Sequence, residues 1–353
     1  MKDNPKYFYT YTKNLRKTSG LVRPLTDSDN KIIDEPVAET LQRQYSSVWS
    51  IPSKDHIVEN PSLFFKTSVS DEPKKILFKV RFTKEKVMKA IEKLNKEAAA
   101  GPDGVSNLLL YKLRSCISEP LAKIFQDSMD SGKYLWKKQF VIPVLKSGKS
   151  KNKAESFRPV SLTSQIGKLM ERIVMEEMIE FLVRNKLLSD NQHGFKKARS
   201  CLSELLSHHQ KILDAILTGD NYDTIYLDYQ KAFDQCDQGV AAFALRRFGF
   251  QGSLGSWLYD FMRGRQQWVI ANNAISSPAN VGSGVPQGSV LGPLIFLLTI
   301  ESINDLDLAG NLGLFADDTR AEMAVSCEAD AWSLQLDLAT IGVWSGNSNM
   351  KFN

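Results

Sequence analysis

Cysteine is scarce in this chain of 353 residues: Cys116, Cys201, Cys236 and Cys327 stand far apart, with no C-x-x-C pair. That argues against a disulfide framework and a zinc site, and fits a reducing compartment. Histidine is equally sparse (His56, His193, His208, His209) and shows no metal-ligand spacing; His208 and His209 fall in a helical pattern with Leu202, Leu205, Leu206, Ile212 and Leu213. No long apolar run is present either. The longest, around Val290 to Ile300, contains Gly292 and Pro293 and is short of the ~20 residues a bilayer requires. The N-terminal "MKDNPKYFYTYTKN" lacks the apolar centre of a secretory signal. Neither a repeat nor a low-complexity tract occurs. The expectation from these absences is an intracellular protein that does not use a membrane.

What is there is ordinary in bulk and uneven in detail. A composition of 42% hydrophobic and 24% charged residues is globular, and the length suits one large domain with subdomains, or two domains. The net charge of +5 conceals a polarity: residues 133–199 carry fifteen Lys or Arg against six Asp or Glu, and residues 200–353 carry eight against seventeen. A middle segment suited to phosphates precedes a late one rich in carboxylates.

Periodicity gives a coarse map. Thr83 reads as an N-cap before Val87, Ile91 and Leu94, and Gly101-Pro102-Asp103-Gly104 as a turn. A further helix is expected to start near Ser118 with Pro120 in its first turn. "QFVIPVLKSGKSKN" reads as a strand and basic loop, "FRPVSLTS" as a short extended segment, and residues 165–184 as the clearest helix. Later, "DTIYLDYQ" reads as a strand, "DQGVAAFALRRFG" and "SLGSWLYDFMRG" as helices, and "QWVIANNAISS" as a hairpin turning at Asn272-Asn273. "NLGLFADDTRAEMAV" reads as a second hairpin with Asp317 and Asp318 in or near its turn. Helices interleaved with hairpins predict an α+β fold, an antiparallel sheet backed by helices.

Adjacent carboxylates repel, so Asp317-Asp318 at a strand end needs a reason. With Asp228, they offer three carboxylates from two elements, and convergence around Mg²⁺ would turn the repulsion into affinity, since hard cations prefer carboxylate and phosphate oxygens. The plainer alternative is a capped turn and surface ion pairs.

Several ordered motifs decide between these readings. "FADD" (Phe315 to Asp318), "YLDYQKAFD" (Tyr226 to Asp234), "GVPQGSVLGPLIFLL" (Gly284 to Leu298), "FRPVSLTSQIGKLMERI", "AAAGPDGV" and "LSDNQHGFKKARS" together resemble the reverse transcriptases of non-LTR (LINE-type) retrotransposons. "NPKYFYTYTKNLRK" and "QYSSVW" are similar to the lead-in of that domain. The resemblance implies fingers and palm of a right-hand polymerase, with residues 1–75 as lead-in, 76–220 as fingers and 221–353 as an incomplete palm whose thumb and later lysine are missing. It implies RNA-directed DNA polymerase activity with two Mg²⁺ ions, Mn²⁺ being a substitute, and an RNA template, a DNA primer or target and deoxynucleoside triphosphates as partners.

Carried over position by position, Asp228 and Asp317 would ligate both metals and Asp318 would stand third. Phe233 would gate the sugar against a 2′-hydroxyl, Gln287 and Gly288 would lie near the incoming nucleotide, and Lys146 and Arg158 would grip its triphosphate. Lys149, Lys151 and Lys153 are either solvated loop or nucleic-acid contacts. Lys231 and Asp234 belong to the signature and fix the turn after the strand. The departures are "FDQCDQG" and the longer "TIESINDL", neither at a ligand position. Nuclear residence follows only from how such elements copy themselves. A retroelement remnant that binds nucleic acid without catalysis remains the alternative, and a two-metal nuclease would leave "GVPQGSVLGP" and Phe233 unexplained.

Overall fold

Helix starts follow the capping residues that the sequence provides. In the computed structural model, which describes residues 22–49, 75–194 and 198–353, Thr83 accepts a hydrogen bond from the Lys86 N–H and opens α2 (Lys84–Glu92), after α1 (Val37–Ser46). Ser106 caps α3 (Asn107–Asp130) through the Leu109 N–H. Ser164 caps α4 (Gln165–Arg184), and Ser200 with Ser203 forms a reciprocal capping pair at α5 (Cys201–Thr218). The lead-in motif at residues 4–17, His56 and residues 195–197 of the "GFKKARS" block lie outside the described residues.

The start of α3 corrects the expectation of a helix beginning near Ser118, because Pro120 lies inside an unbroken helix. An interior proline normally costs ~3 kcal/mol through a lost N–H and a ring clash. Here Cys116, whose carbonyl loses its partner, and Pro120 itself both lie on the exposed face, where water can replace the missing donor.

Two sheets organise the chain. The first runs β2 (Phe157–Thr163), β1 (Lys138–Leu145), β4 (Gln266–Ala271), β5 (Ala274–Ile275), with β6 (Ala279–Asn280) also paired to β4. The β1–β4 pairing is parallel and the others antiparallel. Since β4 to β6 follow residue 220, this sheet draws strands from both sides of the expected division there. Asn272 and Asn273 both take positive φ between β4 and β5, as a two-residue hairpin of primed type requires. Helix α1 covers this sheet, with Leu41 and Tyr45 packed among Val141, Phe157 and Val269.

The second sheet is antiparallel, in the order β3 (Asn221–Leu227), β8 (Asp318–Val325), β7 (Asn311–Phe315). It packs against α10 (Glu328–Asn347) and α5. Between the sheets in sequence come α6 (Ala232–Gln235), α7 (Gln238–Arg247), α8 (Gly252–Met262) and α9 (Gly292–Ile300). The apolar run that was too short for a bilayer is α9, which is buried from Leu294 to Ile300 in the largest hydrophobic cluster. Among the described residues, no helix is long and apolar enough to cross a membrane.

A charged network lies beneath the second sheet. Glu322 on β8 has a fully buried side chain that accepts from Arg320 Nε and from Lys211 Nζ, each at 2.7 Å, and contacts His208 Nδ1 at 2.7 Å. Arg320 also pairs with Glu204. Burial works to raise the Glu322 pKa, but Arg320 and Lys211 outweigh it and hold the carboxyl below its usual value. A depressed folded-state pKa contributes stability that is present above the unfolded pKa and is lost as pH falls through the folded one. Glu322→Ala leaves Arg320 short of a partner in a buried site and should cost about 3 kcal/mol in urea unfolding at neutral pH. Its deficit against the parent should shrink as the pH is lowered through the carboxylate range.

Candidate active site

A cleft of about 670 Å³ opens between the two sheets. Asp228 and Asp317 stand on one side. Asp228 directly follows β3, and Asp317 occupies the two-residue turn between β7 and β8 that is closed by the Phe315–Asp318 pair. The β3–β8 register ends at Leu227 opposite Thr319, which brings the end of β3 beside that turn. Burial pushes the Asp317 carboxyl pKa up, and the negative charges of Asp318 and Asp228 push it the same way against an opposing backbone hydrogen bond.

Asp318 is exposed and is not among the residues lining the cleft. Of the three aspartates expected to converge, Asp228 and Asp317 line the cavity and Asp318 does not. Asp318 opens β8, where it pairs with Phe315 across the turn, and its side chain is exposed. Among the described residues, no group of three His, Cys, Asp or Glu side chains could by itself hold a metal ion. Mg²⁺, however, is commonly held by one or two carboxylates with the remaining sites filled by water and substrate phosphates. The pair Asp228 and Asp317, hard oxygen donors lining one cavity, fits that need.

The other candidate residues line the same cleft. Lys146 follows β1 and donates from Nζ to the Glu155 carbonyl at 2.9 Å. Arg158 is exposed on β2, opposite Val144 of β1. Lys231, at positive φ, has its pKa lowered by burial first and by neighbouring Lys146, against Asp234 and Glu155. Lys146, Arg158 and Lys231 therefore share one cavity with Asp228 and Asp317, and with Asp234 and Glu155. Of the remaining lysines, Lys153 donates to the Asp27 carbonyl, tying the basic loop to the segment before α1, and Lys149 and Lys151 are exposed. Phe233 lines the cavity while stacked on Phe296 at 4.3 Å between ring centroids, so packing fixes the ring at the cleft wall.

The Pro286-Gln287-Gly288 segment forms the far wall and is held on three sides. Gln287 donates from Nε2 to Asp234 Oδ1 at 2.5 Å, and its carbonyl accepts from the Ser161 N–H of β2 at 3.1 Å. Burial raises the Asp234 pKa against Gln287, Lys231 and Lys146. The Val285 N–H bonds the Phe233 carbonyl at 3.0 Å. Gly288 sits at φ +99°, and a Cβ there would lie 2.5 Å from the Ser161 carbonyl oxygen, so only glycine fits. Behind the loop, fully buried Glu171 accepts from Val290 N–H at 2.7 Å, from Leu291 N–H at 3.3 Å and from Tyr134 Oη at 2.8 Å.

Sequence reasoning gave no site role to residues of three further segments. Gln44, Tyr45 and Val48 of the "QYSSVW" motif line the cleft, a place that the lead-in resemblance did not imply. Asn353 donates from Nδ2 to Asp228 Oδ2 at 2.5 Å and from its N–H to the Asp228 carbonyl at 2.9 Å. Gln192 lies against the Asp317 turn. The extra apolar and acidic residues of "TIESINDL" form the end of α9 and a 3-10 turn, Glu301–Asp305.

In chelator-treated buffer, Asp317→Asn should raise the urea midpoint at neutral pH, because it removes a half-buried charge that Asp228 and Asp318 repel. A raised folded-state pKa means that the ionised carboxylate costs stability above it and costs nothing below the unfolded value. The gain should therefore fade as the pH falls through the carboxylate range.

The family described as "Reverse transcriptase (RNA-dependent DNA polymerase)" matches residues 146–353. The chain is 29% identical over 282 residues to the probable RNA-directed DNA polymerase from transposon BS of Drosophila melanogaster, covering 76% of this chain and 31% of that protein. It is 28% identical to the RNA-directed DNA polymerase from mobile element jockey of the same species, covering 77% of this chain and 31% of the relative. A putative 115 kDa protein in the type-1 retrotransposable element R1DM, also of Drosophila melanogaster, is 28% identical over 72% of this chain and 25% of its own length. The chain thus spans about a third or less of the curated relatives it matches.

Proposed function

Because the chain belongs to the reverse transcriptase (RNA-dependent DNA polymerase) family, we propose that its cleft copies RNA into DNA, as the polymerase portion of a retroelement protein. The observation that carries the reading is the meeting of Asp228 and Asp317 in one cavity with Lys146, Arg158, Phe233 and Gln287. In this reading the first sheet with its helices acts as fingers, and the β3–β8–β7 sheet as palm.

The incoming deoxynucleoside triphosphate lies across the cavity. Arg158 offers a planar fork to its phosphates, and Lys146 and Lys231 offer point charges. Phe233, fixed against Phe296, closes the space under the sugar and leaves none for a 2′-hydroxyl. Gln287 is held by Asp234, and Gly288 admits close approach of the backbone to the nucleotide. The primer's 3′-oxygen bonds to the α-phosphorus as the bond from that phosphorus to the pyrophosphate oxygen breaks. Asp228 and Asp317 would hold the divalent cations, Mg²⁺ or Mn²⁺, whose chemistry when bound is to acidify the hydroxyl and neutralise the departing pyrophosphate. Asp318, beside the site, adds negative charge that raises the affinity of Asp317 for a cation. Template and primer are gripped through their phosphates, so binding weakens steeply with salt.

Primer extension on an RNA template tests the reading. Asp228→Asn should lower the extension rate by about 10³-fold, and Phe233→Val should admit ribonucleotides that the parent rejects. Unchanged extension by Asp228→Asn would overturn the assignment of the carboxylates. No extension by the parent with either metal, alongside retained RNA binding, would favour a nucleic-acid-binding remnant.

A further inference from the structure

The turn that carries Asp317 is conformationally expensive. Ala316, its first central residue, takes φ +57°, a left-handed conformation that costs a residue with a Cβ ~1 kcal/mol or more. Such a conformation persists only where surrounding structure holds it. A two-residue hairpin tip has few neighbours of its own, so the hold must come from elsewhere.

We propose that Gln192 is the positioning residue for Asp317, acting through the peptide groups of Ala316. The Gln192 side chain is fully buried. Its Oε1 accepts from the Ala316 N–H at 3.0 Å and from the Gly194 N–H at 2.7 Å, and its Nε2 reaches the Ala316 carbonyl at 3.5 Å. One amide side chain thus engages both polar groups of the residue that needs support, as a neighbouring strand's backbone would. The segment around it is itself paired to β7: the Leu314 N–H bonds the Asn191 carbonyl at 3.0 Å and the His193 N–H bonds the Leu314 carbonyl at 2.8 Å.

Two further contacts keep the clamp in place. The Ser189 N–H donates to Glu301 Oε1 at 2.6 Å, and His193 Nδ1 meets Ser203 Oγ at 2.8 Å, which anchors the segment at both ends. A Cβ on Gly194 would lie 2.3 Å from the Ala316 nitrogen, so glycine at 194 lets the clamp close on the turn. Gln192 is not among the residues lining the cleft. Its effect on chemistry therefore passes through the direction of the Asp317 carboxylate. The catalytic part of this inference rests on the polymerase reading, but the clamp does not.

Gln192→Met keeps the side-chain volume and removes the acceptor, whereas Gln192→Glu keeps an oxygen at that point. Amide hydrogen exchange in the absence of substrate reads the clamp directly. In Gln192→Met, the Ala316 amide should exchange about tenfold faster while the amides of α4 and α9 keep their rates, and Gln192→Glu should restore protection. In primer extension, the Mg²⁺ concentration for half-maximal rate should rise several-fold in Gln192→Met with the nucleotide KM unchanged. Parent-like exchange at Ala316 would overturn the proposal. So would a uniform acceleration at every amide, which marks general destabilisation. If the parent chain extends no primer, the exchange result still decides the clamp, and it is the polymerase reading that falls.

Discussion

Electrostatic repulsion between carboxylates on neighbouring strand ends is the constraint around which this molecule is arranged. The β3–β8 pairing ends at Leu227 opposite Thr319, so Asp228 and the Asp317 turn must lie side by side. Burial and the neighbouring charges of Asp318 and Asp228 push the Asp317 carboxyl toward its protonated form. A fold that needed only a tight hairpin would have used Asn or Gly here and avoided this cost. Retaining the charges makes sense where a divalent cation converts them into ligands.

The surroundings of the carboxylates are correspondingly rigid. Side chains that no solvent reaches hold the loops of the cleft by their backbones: Glu171 holds the segment after Gln287, and Gln192 holds the turn before Asp317. Backbone hydrogen bonds tie the Gln287 loop to β2 and to the Phe233 turn. Each loop is therefore fixed through its peptide groups, while among the side chains that face the cavity Gln287 is held by Asp234, Lys146 by the Glu155 carbonyl and Asp228 by Asn353. The cavity is polar in both senses of charge, with Lys146, Arg158 and Lys231 facing Asp228 and Asp317. That division matches the basic middle and acidic late segments of the sequence.

Much of this was legible in the residues, and the gaps have physical causes. The two hairpins were readable because turn chemistry is local: Asn272-Asn273 takes positive φ, and "FADD" interrupts an alternating pattern. The helix after Thr83 was readable from its cap as well, and that of residues 165–184 from its apolar residues at helical spacing. The start of α3 was misread because Pro120 was taken as a first-turn residue, whereas it lies inside the helix on a face open to water, which tolerates the lost hydrogen bond. Asp317 lies in the turn and lines the cleft while Asp318 belongs to β8 and does not, a difference of position that a motif match does not carry. Gln192 and Tyr45 stand in motifs that were legible, but their approach to the site, like that of Asn353, is a long-range contact that no local pattern encodes. The parallel pairing of β1 with β4 is of the same kind, joining strands more than a hundred residues apart.

Whether the two carboxylates form one cation site is the question on which the account turns. Mn²⁺ affinity, read by paramagnetic resonance for the parent, Asp228→Asn, Asp317→Asn and the double variant, answers it through a thermodynamic cycle. A shared site predicts that either single substitution abolishes most of the binding and that the second adds little. Losses that simply add, each carboxylate binding independently of the other, would contradict the account.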